Sequence, residues 1–220
     1  MQSIFSLGLV LGSLFLGILA NAQKSQQPSE WHTATEFTLE GKGWKETQSP
    51  YDRFPPKAQG KVVQNVWELS EQSAGIAVRF QSDAPRIWVR WSLTSPLALL
   101  AMPHMPATGV SGVDLYTRQA DGKWVFVNNG RPLQVEGNLA SFYPNNKTTE
   151  MQEYLLYLPL YNGTKSLEIG VGEGKRIQNV LPRPQDKAQP IAYYGSSIAQ
   201  GGCASRPGMA FTAILGRALD

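Results

Sequence analysis

The chain has 220 residues, a formal net charge of +3 and a hydrophobic fraction of 42%, enough for one large or two small domains with real cores. Its lysine and arginine residues are scattered rather than clustered, which argues against a nucleic-acid partner. Cys203 is the only cysteine, so no internal disulfide can form and stability must come from packing.

The amino terminus has the pattern of an export signal. Residues 1–22 contain no charged side chain, and Ile4 to Leu19 is apolar apart from Ser and Gly. The small residues Ala20 and Ala22 precede Gln23, as signal peptidase requires. The alternative is an uncleaved anchor, but the run falls short of the roughly 20 apolar residues of a spanning helix. We predict cleavage before Gln23, no stable membrane span afterwards, and a secreted or periplasmic protein.

The middle of the chain has the composition of an all-β domain. Residues 23–56 are a polar lead-in with room for one edge strand. From Val62 onward, short segments rich in β-branched and aromatic residues alternate with Gly, Pro, Asn and Asp, which is typical of strands and turns. We predict a mainly β, jelly-roll-like β-sandwich over residues 23–180. The candidate strands are Val62–Leu69, Gly75–Phe80, Arg86–Leu93, Val113–Arg118, Lys123–Val127, Tyr154–Leu158 and Ser166–Val171.

The pattern changes after residue 180. Residues 181–190 contain three prolines and are interpreted as an exposed linker. Ile191–Tyr194 is a short apolar run, predicted to be a strand, and a Gly/Ser turn follows it. We expect Ser205 to cap the next helix and Pro207 to lie in its first turn. This order predicts the start of an α/β domain over residues 191–220. The last part of the segment is predicted to be an amphipathic helix, because Phe211, Ile214, Leu215 and Ala218 fall at the spacing of one helix face.

The turn after the predicted strand carries a candidate nucleophile, Ser197. A serine on a sharp turn between a buried strand and a helix exposes its Oγ, and its own backbone N–H can serve as one oxyanion donor. Glycine and serine turns without any catalytic role are also common after strands. The turn alone therefore leaves both interpretations open.

The run GSSIAQGGCASRPGMAFTAILGRALD, which starts at Gly195, resembles the first conserved block of SGNH/GDSL hydrolases. Gly195 corresponds to the glycine of the block, Ser196 to a position where Asp often stands, and Ser197 to the nucleophile. Gly201 corresponds to its closing glycine, whereas Ala199 departs from a common Thr. The resemblance implies a flavodoxin-like α/β domain and serine ester hydrolysis, with no metal and no organic cofactor.

Residues 102–116 resemble the signature of the GxDLY domain, a β-sandwich found immediately before GDSL esterase domains. The motif itself, GVDLY, occupies residues 112–116. Strand alternation places Asp114 and Tyr116 on one face of the strand, and we favour a structural role for both. Together the two resemblances cover the mature chain apart from its lead-in.

The resemblance also implies residues that follow the first block: a Gly and an Asn for the oxyanion hole and an Asp/His pair for the triad. His104 and His32 are poor candidates for the base, because the family's His lies near the C-terminal end. We therefore expect an N-terminal fragment that is inactive alone. We also expect its sandwich to dock on the missing C-terminal hydrolase domain and its tail, residues 191–220, to be mobile or badly packed.

Two hypotheses for function follow. In the first, the intact protein is a secreted serine esterase that removes acyl groups, in particular acetyl, from carbohydrates or similar small-molecule esters. In the alternative, residues 30–180 form a non-catalytic carbohydrate-binding or interaction module, in which the tyrosines and Trp88, Trp91 and Trp124 line a sugar platform. Packing in the core or in a hairpin is the role that we favour for these rings.

Overall fold

The computed structural model describes residues 27–96, 100–144, 150–185 and 189–220. The predicted export signal therefore lies outside the described residues. In the described ranges the chain forms ten β-strands, arranged in two antiparallel sheets, together with short helices. None of the helices in those ranges has the length and apolar character needed to cross a bilayer.

The first sheet has four strands in the order β1-β9-β4-β7. These are β1 (Glu30–Thr33), β4 (Ile87–Leu93), β7 (Asn138–Phe142) and β9 (Thr164–Val171). Neighbours in this sheet are far apart in sequence, since β4 pairs with both β7 and β9. Long-range pairing of this kind is typical of a β-sandwich rather than of a simple meander.

The second sheet follows the order β10-β3-β8-β5-β6, and β2 pairs with β3 beside β10. Its strands are β2 (Thr38–Glu40), β3 (Ala77–Ser82), β5 (Val113–Arg118), β6 (Trp124–Gly130), β8 (Gln152–Tyr157) and β10 (Ile177–Asn179). The Asn179 Oδ1 atom accepts hydrogen bonds from the Thr38 N–H at 3.0 Å and from the Thr38 hydroxyl at 2.8 Å, which joins the two short strands end to end.

The main hydrophobic core lies between the sheets. Alternate residues of β4 point inward, and the side chains of Ile87, Val89, Trp91 and Leu93 are almost completely buried, as their period-2 pattern predicts. The Trp91 indole N–H donates to the carbonyl of Ser111 at 3.2 Å, so the largest core side chain has no unsatisfied polar atom. The predicted mainly β sandwich is confirmed.

The prediction of a strand at Val62–Leu69 is wrong. Gln64–Ser70 forms helix α1 instead, and of its apolar residues only Trp67 is buried. A strand would bury alternate residues, but Val63 is 71% exposed. The Gln64 side chain donates to Glu68 at 2.9 Å, an i,i+4 contact of the kind that brings side chains together on a helix. The β-branched valines predicted a strand, but tertiary context overrides that preference.

The C-terminal elements differ from the prediction in two respects. Ile191–Tyr194 is exposed and does not form the predicted strand. A strand needs a neighbour for its backbone groups, and this run pairs with none among the described residues. Ser205 is not the cap: Pro207 opens a 3-10 turn, and the extended backbone of Ala210 caps the helix after it. The remaining helices are α2 (Ala107–Val110), α3 (Ser197–Gln200) and α4 (Phe211–Leu219).

Candidate functional site

The C-terminal segment, residues 196–220, packs against the outer face of the second sheet. Tyr116 and Tyr157 of the sheet share a buried cluster with Ala210 and Ala213 of the segment. The expectation of a badly packed tail is therefore wrong for this part of the chain, whereas the stretch before it is exposed from Ile191 to Ile198.

Ser197 is the first residue of α3 and is exposed. Ser196 precedes it with an extended backbone and without a side-chain capping hydrogen bond. Gly201 ends the turn in the left-handed region, with φ 106°. A Cβ at Gly195 would lie 2.9 Å from the Cβ of Ala199, and a Cβ at Gly201 would lie 2.8 Å from Leu160 Cδ1. The two glycines therefore allow a turn tight enough to present Ser197 to solvent.

The carbonyl side of this turn is held by sandwich loops. The Tyr161 hydroxyl donates to the Ser197 carbonyl at 3.0 Å. The Gln200 side-chain amide donates to the Leu160 carbonyl at 3.0 Å, and the Thr108 hydroxyl donates to the Ser205 carbonyl at 2.6 Å. The turn that carries Ser197 is therefore held by the sandwich on its carbonyl side, while Ser197 itself is exposed.

No catalytic base approaches Ser197 within the described ranges. Neither the His32 nor the His104 imidazole is hydrogen-bonded to it: His32 contacts Glu30 at 3.3 Å and Glu36 at 3.2 Å, and His104 is exposed in a turn. In the part of the chain that the structure describes, no group of three His, Cys, Asp or Glu side chains could hold a metal ion.

Asp114 connects the sandwich to the C-terminal segment. Its carboxylate is completely buried, and the Oδ2 atom accepts hydrogen bonds from Arg206 Nη1 and from the Gly208 N–H, both at 2.9 Å. Arg206 also donates to the Tyr116 hydroxyl. Asp114 and Tyr116 therefore have the structural role expected of them, but the sequence did not indicate that Arg206 and Gly208 would be their partners.

The ionisation of this pair reflects both burial and hydrogen bonding. Burial raises the pKa of Asp114 to about 6, and the opposing effects of Arg206 and Gly208 do not cancel it. Burial lowers the pKa of Arg206, but hydrogen bonds to Tyr116 and Asp114 leave it above its usual value. At neutral pH both groups are therefore charged and form an ion pair.

The backbone of the segment lies directly on an aromatic ring of the sheet. A Cβ at Gly208 would lie 2.4 Å from Tyr116 Cε2, so only glycine fits there. The Arg217 guanidinium covers the same ring at 4.0 Å from its centroid and donates to the Gly208 carbonyl at 2.8 Å. Arg206 covers the ring of Phe126 at 3.7 Å. The contact is thus tightly packed and rich in cation–π pairs.

The three tryptophans proposed for a sugar platform lie in different places. Trp91 is in the core, and Trp88 is 5% exposed beneath the guanidinium of Arg86. The Trp124 indole N–H donates to Asp220 at 2.7 Å. All three have packing roles, and they form no shared platform.

The comparison with protein families agrees with these contacts. Residues 29–177 match GxDLY, described as the N-terminus of the SGNH-hydrolase type of esterase. The chain belongs to the GxDLY family. Residues 188–220 match the GDSL-like lipase/acylhydrolase family. Asp114 and Tyr116, the last polar residues of the GxDLY motif, thus contact the start of the lipase-like segment.

Two solved structures resemble the GxDLY chain. A Bacteroides ovatus ATCC 8483 protein described as GDSL-like lipase is 35% identical, with a TM-score of 0.74 over 86% of this chain and 53% of that one. The salicylyl-acyltransferase SsfX3 of a tetracycline biosynthetic pathway shares the fold at 16% identity, with a TM-score of 0.59, over 86% of this chain and 51% of that one. The GxDLY chain thus spans about half the length of each. No curated protein matches it.

The Gly208 contact makes a first prediction. In Gly208→Ala the added methyl group collides with Tyr116, and we expect the unfolding free energy to fall by about 1–3 kcal/mol, with faster amide exchange over residues 205–219. Gly216→Ala is the matched control, because nothing lies within 4 Å of a Cβ there and alanine favours a helix. Equal stability and exchange in the two variants would show that the segment does not rest on Tyr116.

The buried carboxylate makes a second prediction. The pKa of Asp114 is about 6 in the folded protein and about 3.9 in an unfolded chain. Because the folded state holds the proton more tightly, the contribution of the Asp114 carboxyl to the unfolding free energy is complete below pH ~4. It is lost as the pH rises through ~6. We expect the stability of the wild type relative to Asp114→Asn, from urea unfolding, to decrease by on the order of 2 kcal/mol between pH 4 and 7.

Asp121→Asn is the control for this pH dependence. The exposed Asp121 carboxylate pairs with Lys123 at 2.8 Å, and that hydrogen bond lowers the pKa of Asp121, so its contribution changes with pH in the opposite direction. If the stability of the wild type relative to Asp114→Asn instead increased with pH, the effect of pairing with Arg206 on the Asp114 pKa would outweigh the effect of burial.

Proposed function

We propose that the protein acts as a serine ester hydrolase of the SGNH/GDSL type, with Ser197 as its nucleophile. One observation carries the proposal: Ser197 lies exposed at the start of a tight turn within residues that match the GDSL-like lipase/acylhydrolase family. The turn is braced by the GxDLY sandwich, so the serine has a defined position.

In the proposed reaction, Ser197 Oγ attacks the ester carbonyl carbon, its proton passes to a base, and the alcohol leaves with a proton. Water then hydrolyses the acyl-enzyme and regenerates the serine. The Ser197 N–H serves as one donor to the oxyanion. A serine hydroxyl without a neighbouring base is a weak nucleophile, so we propose that residues 1–220 alone are inactive and that the triad Asp and His belong to a hydrolase domain that follows them.

The proposed substrates are small acyl esters, in particular acetyl esters, of carbohydrates or similar small molecules. The likeness of the Gly195–Gly201 turn to the SGNH block supports this choice. The position of Ser197 adds support, because an exposed turn admits an ester from solvent. The alternative, a non-catalytic carbohydrate-binding module, gains no support from Trp88, Trp91 and Trp124, which occupy separate packing sites.

A second role, for the sandwich itself, is favoured by the contacts of Asp114. We propose that residues 23–180 serve as a docking platform for the hydrolase domain. The buried Asp114–Arg206 pair and the Gly208–Tyr116 contact support this role, since they lie between the GxDLY motif and the lipase-like segment.

The esterase proposal is tested with the full-length gene product that contains these residues. We expect it to hydrolyse p-nitrophenyl acetate and Ser197→Ala to lose at least about 1,000-fold in kcat, because a triad without its nucleophile retains little activity. Ser205→Ala is the matched control, an exposed serine of the same segment. Activity that survives in Ser197→Ala would sink the assignment of the nucleophile.

Export is tested separately. We propose that residues 1–22 are a cleaved signal peptide, supported by the apolar run and by Ala20 and Ala22 before Gln23. Amino-terminal sequencing of protein from the periplasm or medium is expected to begin at Gln23, and Ala22→Arg is expected to block cleavage while Asn21→Ser does not. A protein that keeps Met1 and stays with the membrane would contradict export by this route.

A further inference from the structure

We infer that Tyr161 of the sandwich is a positioning residue for the nucleophile turn, through the hydrogen bond that its hydroxyl donates to the Ser197 carbonyl. The distance between these atoms is 3.0 Å. The inference rests on the proposed function, because it assigns Tyr161 an effect on the rate of attack by Ser197. It goes further, because it makes a side chain of the β-sandwich part of the catalytic apparatus of the other domain.

The Ser197 carbonyl has an unusual number of donors for the first residue of a short turn. The N–H groups of Gly201 and Gly202 donate to it at 3.1 and 2.7 Å, and the Tyr161 hydroxyl is the third donor. Two of the three donors come from the turn itself, and only Tyr161 connects this peptide to the sandwich. Removing that hydroxyl leaves the turn and the Gln200–Leu160 hydrogen bond intact but removes the one side-chain hydrogen bond from the sandwich to the Ser197 carbonyl.

The orientation of the turn explains why this contact matters for chemistry. In a helical turn the carbonyl groups point toward the carboxyl end and the N–H groups toward the amino end. Tyr161 holds the carbonyl side, so the Ser197 N–H, the proposed oxyanion donor, remains at the open side with the exposed side chain. A shift of a reacting atom by about 1 Å can cost a large factor in rate. Fixing the carbonyl of the Ser197–Ile198 peptide restrains the Cα atom that also carries the Ser197 N–H and side chain, which limits such a shift.

The environment of Tyr161 keeps it in the state and place required of a donor. Burial raises the pKa of Tyr161, with the Cys203 thiol adding to the effect, so the phenol stays protonated at neutral pH. A Cβ at Gly202 would lie 3.1 Å from the Tyr161 oxygen, which shows how closely the backbone of the turn approaches the ring. Gln200, which donates to the Leu160 carbonyl, holds the same loop one residue earlier.

The test is Tyr161→Phe in the full-length enzyme, which removes only the hydroxyl. One neutral hydrogen bond contributes about 0.5–1.5 kcal/mol, so we expect kcat to fall about 3- to 10-fold with KM changed less than about 2-fold. The rate at which a p-nitrophenyl phosphonate modifies Ser197 should fall by the same factor. Rates are expressed per active site titrated with that phosphonate, so a loss of folded protein does not imitate the effect.

Tyr143→Phe is the control, since that tyrosine is 62% exposed beside Arg86 and the substitution should change none of these values. Tyr161→Phe that turns over at the wild-type rate, while Ser197→Ala is inactive, would overturn the inference, even if its melting temperature is lower. An active Ser197→Ala would instead refute the proposed function. The two failures are therefore distinguishable.

Discussion

The buried carboxylate of Asp114 is the interaction on which the arrangement of the two parts depends. A completely buried charge is costly unless it is paired and hydrogen-bonded. The Asp114 Oδ2 atom accepts hydrogen bonds from Arg206 and from the Gly208 N–H, whereas the buried Oδ1 atom has no hydrogen-bond partner among the described residues. Both partners come from the lipase-like segment. The segment that buries the Asp114 carboxylate on the outer face of the second sheet therefore also supplies its hydrogen-bond donors.

The GVDLY motif serves two cores at once because a strand presents alternate residues to opposite faces. Val113 and Leu115 point into the core between the sheets, whereas Tyr116 belongs to the cluster formed with the C-terminal segment. One five-residue stretch thus couples the packing of the sandwich to the docking of its neighbour. Tyr161, in the loop after β8, makes a second link between the two parts through its hydrogen bond to the Ser197 carbonyl.

The sequence predicted what depends on strong periodicity and missed what depends on tertiary partners. Val113–Arg118 was predicted with its observed bounds, and the strand Arg86–Leu93 was predicted to within one residue of β4. The three-residue strands β2 and β10 are too short to leave a pattern, and they exist because β3 offers both a place to pair. Local sequence placed Ser197 on a turn, but no local signal indicates that Tyr161, 36 positions away, braces it.

Helix α4 has the amphipathic spacing that the sequence predicts, but it contacts the sandwich through its other face. The sequence analysis related Phe211, Ile214, Leu215 and Ala218 by helical spacing, and in the structure Phe211 and Ile214 are 41% and 44% exposed. The helix contacts the sandwich through Ala213 and Arg217, which lie one turn apart on the opposite side. A helix with a packed face of small and cationic residues and an apolar face left open is suited to lie between two layers. In the proposed hydrolase domain, the open face is the one that an α/β sheet would cover.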